Sequence, residues 1–372
     1  MKKKVLLVSC KGLGNGGVQA VMMSIVRRLS NKYIFDIVLF TENKGHYEDE
    51  FLKYGGTIFR ICHSRKNKFQ RIIDGLFCGN RLYKELLNYI RANGPYCAIH
   101  CNNYCEGAFC LKAAAKYNIP VRICHTHTIV NTRGLLQNIY LRIIKKYATT
   151  LVGCSREACA STYGEQSDSL VVVNPYDEHK FLPDVNVFGQ PREMVLMQIG
   201  NFSENKNQMF SVRVLAEIKK QYPNAKLNLV GFNVGDYQSK LEKIIEEMGM
   251  EEDVKILPHN TNTAEYLEDS AAFIFPSIRE GFGIVLIEAQ AMGVKCYVSD
   301  TVPTVADRGG CVYLPLSDGP KAWADRIIED YEACCGRHQF YDCSQFASHR
   351  IAEIFDRLYS GEKHENRSDN IS

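Results

Sequence analysis

The sequence predicts an α/β protein made of two doubly wound domains. Three observations carry that expectation: a length of 372 residues, short apolar runs alternating with helical patterns in both halves, and a proline-marked aperiodic stretch between them. A chain this long exceeds one ordinary hydrophobic core and suits two. Strands alternating with helices imply βαβ units and a parallel sheet.

In the first half, residues 5–9, 34–40, 57–61, 96–101, 121–125 and 150–152 read as strands. Helical patterns lie between them over 18–29, 69–92, 107–117 and 134–147. The second half repeats the scheme, with strands over 194–200, 227–230, 254–257, 272–275 and 296–298 and helices between. Between the halves, NPYDEHKFLPDVNVFGQPR (residues 174–192) holds three prolines and no clear period. The expected organisation is a domain over 1–177, a linker over 178–192, a second domain over 193–360 and a polar, disordered tail over 361–372.

An apolar fraction of 45% with 23% charged residues fits a soluble globular chain. No run approaches the ~18 apolar residues of a membrane span. MKKK followed by VLLVSC is too short for a secretory signal and reads as the first strand. The 15 cysteines, without an export signal, are expected as buried free thiols rather than a disulfide framework. Cys97, Cys101, Cys105 and Cys110 around His100 include no C-x2-C pair, so no metal site is expected there.

The net charge of +3 hides a split. Residues 1–177 carry 25 Lys and Arg against 12 Asp and Glu, and residues 178–372 carry 20 against 30. A first half at +13 implies an anionic partner for that half alone: a membrane surface, a pyrophosphate-linked lipid or nucleic acid. The pattern over 133–147, RGLLQNIYLRIIKKY, is amphipathic, with Arg142, Lys145 and Lys146 near its end. Together with Lys66, Lys68, Arg71, Arg81 and Lys84 it can form a face for an anionic leaflet. Cations near a helix C-terminus also stabilise its dipole, a purely structural reason for them.

The most informative stretch is FPSIREGFGIVLIEAQAMG, residues 275–293. A short apolar strand runs through Pro276 into a loop with Arg279, Glu280, Gly281 and Gly283, then into an apolar helix whose one charge is Glu288. The first N–H groups of a helix lack intrahelical partners, and glycine permits close approach, so such a terminus suits phosphate. A carboxylate on so apolar a helix is costly unless hydroxyls or amides satisfy it. Sugar hydroxyls are suitable donors.

Other motifs follow strands. Gly12-Leu13-Gly14-Asn15-Gly16-Gly17-Val18-Gln19 leaves the first strand and opens a helix, with no acidic residue closing the second strand as a dinucleotide site wants. Gly200-Asn201-Phe202-Ser203-Glu204-Asn205-Lys206 leaves the first strand of the second half, and Lys206 is a compact cation suited to phosphate. Val121-Arg122-Ile123-Cys124-His125-Thr126-His127 ends in two histidines at i, i+2, which share one side of an extended backbone. His100 ends the preceding strand in the same way. Ser155 reads as a helix N-cap and Asn174-Pro175 as the turn into the linker. No D-x-D triplet occurs.

Taken together, these motifs resemble the retaining nucleotide-sugar glycosyltransferases of family 4, over roughly residues 4–335. Residues 280–288 resemble the family's E-x7-E signature, and the bacterial capsular and exopolysaccharide branch is the most similar. The resemblance implies a GT-B fold, two Rossmann-like domains facing a cleft. It implies a nucleotide diphosphate sugar as co-substrate, a UDP-sugar, with no other cofactor and no metal. On that resemblance Glu280 and the amides of Gly281, Phe282, Gly283 and Ile284 contact the donor sugar, and Glu288 holds the ribose. Lys206 clamps the diphosphate; the family pattern GRF…KN has Arg where this chain has Asn201, and Arg279 is the candidate replacement. Gly16 and Gly17 match the family's GGV-Q/E turn near the phosphates and acceptor. Gly231, His259 and Asn260 fall where the family places the nucleotide and its base. His125 and His127 match the branch's R-I-x-H-S-H-N segment and are the candidate catalytic histidines beside Glu280 and Lys206.

The implied acceptor is a lipid-pyrophosphate-linked saccharide met at the inner face of the plasma membrane, with an anionic membrane surface as partner, no nucleic acid, and a cytoplasmic, peripheral location. Two alternatives remain open: another nucleotide-sugar enzyme of the same fold, such as a 2-epimerase or sugar-phosphate synthase, and a catalytically silent homologue that binds a partner.

Overall fold

The computed structural model describes residues 2–9, 12–14, 16–61, 83–102, 104–130, 134–184, 186 and 188–362, with only the backbone of 104–106. It divides into two compact units: Met1–Pro175 with Ser348–Ser372, and Tyr176–Ala347.

The first unit is a parallel seven-stranded sheet in the order β3-β2-β1-β4-β5-β6-β7. Its strands are β1 (Lys3–Ser9), β2 (Tyr33–Leu39), β3 (Ile58–Arg60), β4 (Ala98–Cys101), β5 (Val121–Thr126), β6 (Thr150–Gly153) and β7 (Ser169–Val171). Around it run α1 (Gly17–Leu29), α2 (Glu48–Lys53), α3 (residues 83–93), α4 (Tyr104–Lys116), α5 (Leu135–Tyr147) and α6 (Arg156–Tyr163). Val5, Leu6, Leu7 and Val8 are all fully buried because both faces of a parallel sheet are covered. Ser155 caps α6 as expected, its side chain accepting from the Ala158 N–H at 3.1 Å.

The second unit is a parallel six-stranded sheet in the order β10-β9-β8-β11-β12-β13. Its strands are β8 (Val195–Ile199), β9 (Lys226–Gly231), β10 (Val254–Pro258), β11 (Ala272–Phe275), β12 (Cys296–Ser299) and β13 (Cys311–Leu314). Its helices are α7 (Gln208–Ile218), α8 (Tyr237–Glu247), α9 (Thr263–Glu268), α10 (Ile284–Ala291) and α11 (Gly319–Cys334). In each unit the winding direction reverses once, between β1 and β4 and between β8 and β11. Loops leaving the strands' C-terminal ends at such a reversal diverge and leave a crevice.

The domain boundaries differ from expectation in two ways. Residues 178–192 are not a free linker but part of the second unit. The Tyr176 N–H donates to Phe346 O at 3.0 Å, the Arg192 N–H to Cys335 O at 3.0 Å, and Phe181 is buried. The second domain also stops short of residue 360, because α12 (Ser348–Ser360) belongs to the first unit. Ile351, Ala352, Ile354, Phe355, Leu358 and Tyr359 form a buried face at helical spacing. Arg28 Nε donates to Ser348 Oγ at 2.8 Å, Lys32 pairs with Asp356, and the Tyr33 and Tyr359 rings meet edge to face at 5.6 Å. A helix's apolar stripe says that it needs a partner surface, and not which domain supplies it. The strands β7 and β13 were not foreseen; both are short, half-buried edge strands of three and four residues.

Candidate active site

In the second unit the loops that follow β8 and β11 meet at the strand reversal. One backbone bond and two asparagine side-chain bonds join these loops. The Ile278 N–H donates to Asn205 O at 2.8 Å, Asn205 Nδ2 to Arg279 O at 2.8 Å, and Asn207 Nδ2 to Pro276 O at 3.3 Å. Beneath them the buried amide of Gln198 accepts from Ser211 Oγ at 2.8 Å and donates to Lys206 O at 2.7 Å. This bracing brings Lys206 Nζ onto Glu280 Oε1 in an ion pair, with the ammonium 4.8 Å from the centre of the Phe275 ring. Both side chains retain some exposure, 20% and 14%. Asn201 is exposed. So is Arg279, whose guanidinium has no partner among the described residues.

Gly283 caps α10 with φ +85°, a left-handed conformation that favours glycine. No side chain caps the helix and its first turn has no acidic residue; the Leu286 N–H donates to Gly283 O at 2.9 Å, and the amides of Ile284 and Val285 before it lack local acceptors. Phe282 is buried edge to face with Phe346 at 6.0 Å, while Gly281 is half-buried. Further along α10, Glu288 is half-buried and no donor meets its carboxylate among the described residues. Burial raises its pKa to about 7, opposed by Lys180 and reinforced by Asp177. The loop thus holds a cation, a paired carboxylate, open amides and an unsatisfied carboxyl group, a set that suits an anion joined to a polyol.

Gly231 has a packing role: a Cβ there would stand 2.1 Å from Gly200 O. Past β10, His259 is half-buried with its ring 5.6 Å from the exposed Phe232, and Asn260 is exposed. Phe232 went unnoticed in the sequence because one aromatic in a loop has no pattern.

In the first unit, Gly16 is the N-cap of α1 and Gly17 its first residue; no side chain caps it. Gln19 folds back, its Nε2 donating to Gly12 O at 3.3 Å. Asn15 lies outside the described residues.

His125 and His127, the candidate catalytic histidines, are both buried, at 1% and 9% exposure. They do share one side of β5, with ring centres 3.9 Å apart. His100 joins them. Its Nδ1 bonds the Tyr359 hydroxyl at 2.8 Å and its Nε2 bonds His125 Nδ1 at 3.2 Å. His127 lies between Asn102 Oδ1 at 3.2 Å and Asn174 Oδ1 at 3.3 Å. Phe355 stacks against His100 at 4.8 Å, so α12 covers the cluster. Burial lowers all three pKa values, to about 3 for His100, about 4 for His127 and well below the usual range for His125. The rings are therefore neutral near pH 7. His125 Nε2 is buried without a partner. Sequence reading could not supply Tyr359, Asn102 or Asn174, since nothing local links residues up to 259 positions apart.

Among the described residues no three His, Cys, Asp or Glu side chains converge on a metal-sized point, and no helix is long and apolar enough to cross a membrane. Cys101 and Cys110 are buried free thiols; the side chain of Cys105 lies outside the description. Lys66, Lys68, Arg71 and Arg81 also lie outside the described residues, while Lys84, Arg142, Lys145 and Lys146 are exposed.

Comparison with known proteins bears on this geometry. Residues 185–308 match the family described as Glycosyl transferases group 1, a span that includes Lys206, Glu280 and Glu288. The chain is 27% identical over 357 residues to the putative glycosyltransferase EpsF of Bacillus subtilis (strain 168), covering 90% of this chain and 89% of that one. It is 32% identical over 109 residues to the capsular polysaccharide biosynthesis glycosyltransferase CapH of Staphylococcus aureus, 29% of this chain and 31% of that one. Its fold matches Anabaena HepE, solved in complex with UDP and glucose, with a TM-score of 0.74 at 16% identity over 96% of this chain and 100% of the other. The two Rossmann-like units are those of a GT-B glycosyltransferase fold.

Proposed function

We propose that this chain is a group 1 glycosyltransferase, retaining and metal-independent. On this reading it moves a sugar from a UDP-sugar to a lipid-pyrophosphate-linked saccharide in surface polysaccharide synthesis. The observation that carries the proposal is the Lys206–Glu280 pair at the β8/β11 reversal, set beside the open amides of α10. Similarity to EpsF and CapH supports the polysaccharide context.

Lys206 binds the diphosphate, with Arg279 standing in for the arginine absent at Asn201. Glu280, released from Lys206 as the phosphates arrive, accepts from the sugar hydroxyls, joined by the amides of Gly281 to Ile284. Glu288 accepts from the ribose, and Gly231, His259 and Asn260 border the base. The bond between the anomeric carbon and the diphosphate oxygen breaks as the acceptor oxygen bonds the same carbon. The acceptor's proton passes to the leaving diphosphate. Cations and amides set in place before reaction stabilise the charge that grows on that group.

The acceptor is assigned to the first unit, which carries 29 Lys and Arg against 16 Asp and Glu, while the second carries 16 against 26. The protein works peripherally at an anionic cytoplasmic leaflet. Supplying the pure protein with a UDP-sugar and a short lipid-pyrophosphate glycan, with and without excess chelator, tests this. Transfer should proceed equally in both, and NMR of the product should show the donor's anomeric configuration. Inversion, or activity that returns only with Mg²⁺ or Mn²⁺, would refute the finer reading.

A further inference from the structure

α5 has two faces with different needs. Its inner face, Tyr140, Leu141 and Ile144, packs into the core of the first unit, with the Tyr140 ring 5.5 Å from Phe109. At 100° per residue, Leu135, Ile139, Arg142 and Lys146 line up along the opposite side, flanked by Asn138 and Lys145. That outward line changes character along its length. Its first half is apolar and uncovered, with Leu135 79% exposed, Leu136 39% and Ile139 41%. Its second half is the exposed cations Arg142, Lys145 and Lys146. An open depression lined by Leu135, Asn138, Ile139, Leu141, Arg142 and Lys145 borders it.

Exposed leucines at consecutive helix positions cost free energy in water and mark a contact surface when they cluster. The cations identify what is contacted. Lysine is depleted at the centre of protein–protein interfaces, whereas apolar residues beside lysine and arginine on one helix suit the boundary between acyl chains and anionic headgroups. The net charge of +13 on this unit, against −10 on the other, favours the same occupant.

We propose that α5 lodges in an anionic bilayer, Leu135, Leu136 and Ile139 entering the headgroup–acyl boundary while Arg142, Lys145 and Lys146 bind lipid phosphates. This deepens the reading of a peripheral enzyme with a lipid-linked acceptor and rests on it. It adds an apolar contact that surface charge alone does not require. It places the outward side of one short helix, not the whole unit, at the membrane.

The test uses the full chain with phosphatidylcholine vesicles, with and without about one third phosphatidylglycerol. Three variants are compared with the unaltered chain: Leu135→Ser with Ile139→Ser, Arg142→Ser with Lys145→Ser and Lys146→Ser, and Ile139→Trp. The altered side chains are exposed, and unchanged melting temperatures confirm folding. The cation variant should lose retention on anionic vesicles at low salt. The apolar variant should reduce retention about ten-fold or more, most clearly at high salt, where screening leaves apolar contact dominant. In Ile139→Trp the fluorescence should shift to the blue on anionic vesicles, because the only native tryptophan, Trp323, is already buried. Retention unaffected by the apolar variant, with no shift, would overturn the inference while leaving an electrostatic membrane association intact. No retention on any vesicle would overturn both. Self-association abolished by the apolar variant, without lipid retention, would assign the face to a second copy of the chain and also overturn it.

Discussion

Glu288 is where chemistry and stability pull apart. Its pKa of about 7 lies above the ordinary carboxylate value of 4.5, so the folded chain keeps a proton that the unfolded chain releases. Its contribution to stability therefore falls as pH rises from about 4.5 to about 7, and the full cost is present above that. Glu288→Gln should raise the melting temperature at pH 8 and change it little at pH 4. The same substitution should weaken UDP-sugar binding at pH 8 by about 1.5–3 kcal/mol, through loss of a charge-assisted hydrogen bond. Calorimetry showing unchanged affinity would remove the ribose assignment. The histidines carry the opposite sign. Their pKa values lie below the ordinary 6.5, so the unfolded chain takes up protons first as the solution is acidified. Stability from this cluster is intact above about 6.5 and is lost as pH falls towards 4 and 3. Tyr359→Phe leaves the buried His100 Nδ1 unpaired and should lower unfolding free energy by about 1–3 kcal/mol, read from the denaturant midpoint.

The element that matters most for reading this chain is α12. Its periodicity is plain, with Ile351, Phe355 and Leu358 on one stripe, yet its partner was invisible. Phe355 is fully buried against His100 and Tyr359, and Phe355→Ala should cost about 3–5 kcal/mol. Unfolding monitored separately for each unit should place that loss in the first, although the residue follows the whole second unit in sequence. A loss confined to the second unit would contradict the assignment of this helix. The strands that were legible, such as β1 and β11, are short apolar runs bounded by glycine or proline, which is a local signal. The loop after β11 was legible for the same reason: glycines, a proline and a carboxylate on an apolar helix are anomalies within twenty residues. The histidine environment was not, because Asn102, Asn174 and Tyr359 reach it through tertiary packing. Burial makes the histidine pair a neutral, covered cluster.

Across the whole molecule, charge and topology divide the work. The second unit is acidic overall yet gathers Lys206, Arg279 and helix amides at one strand reversal, so the proposed anion site is local rather than a product of net charge. The first unit carries a net charge of +13, which the proposal assigns to an anionic membrane surface. The account's central claim is that a nucleotide diphosphate sugar is opened at Lys206 and Glu280. Its most direct test is release of nucleoside diphosphate from a panel of nucleotide sugars by the pure protein and by Lys206→Ala. The account predicts release from one sugar nucleotide, with kcat lowered at least about 100-fold in the variant, because the lost cation faces charge that grows in the transition state. Release at the same rate from the variant, or from no nucleotide sugar at all, would contradict it.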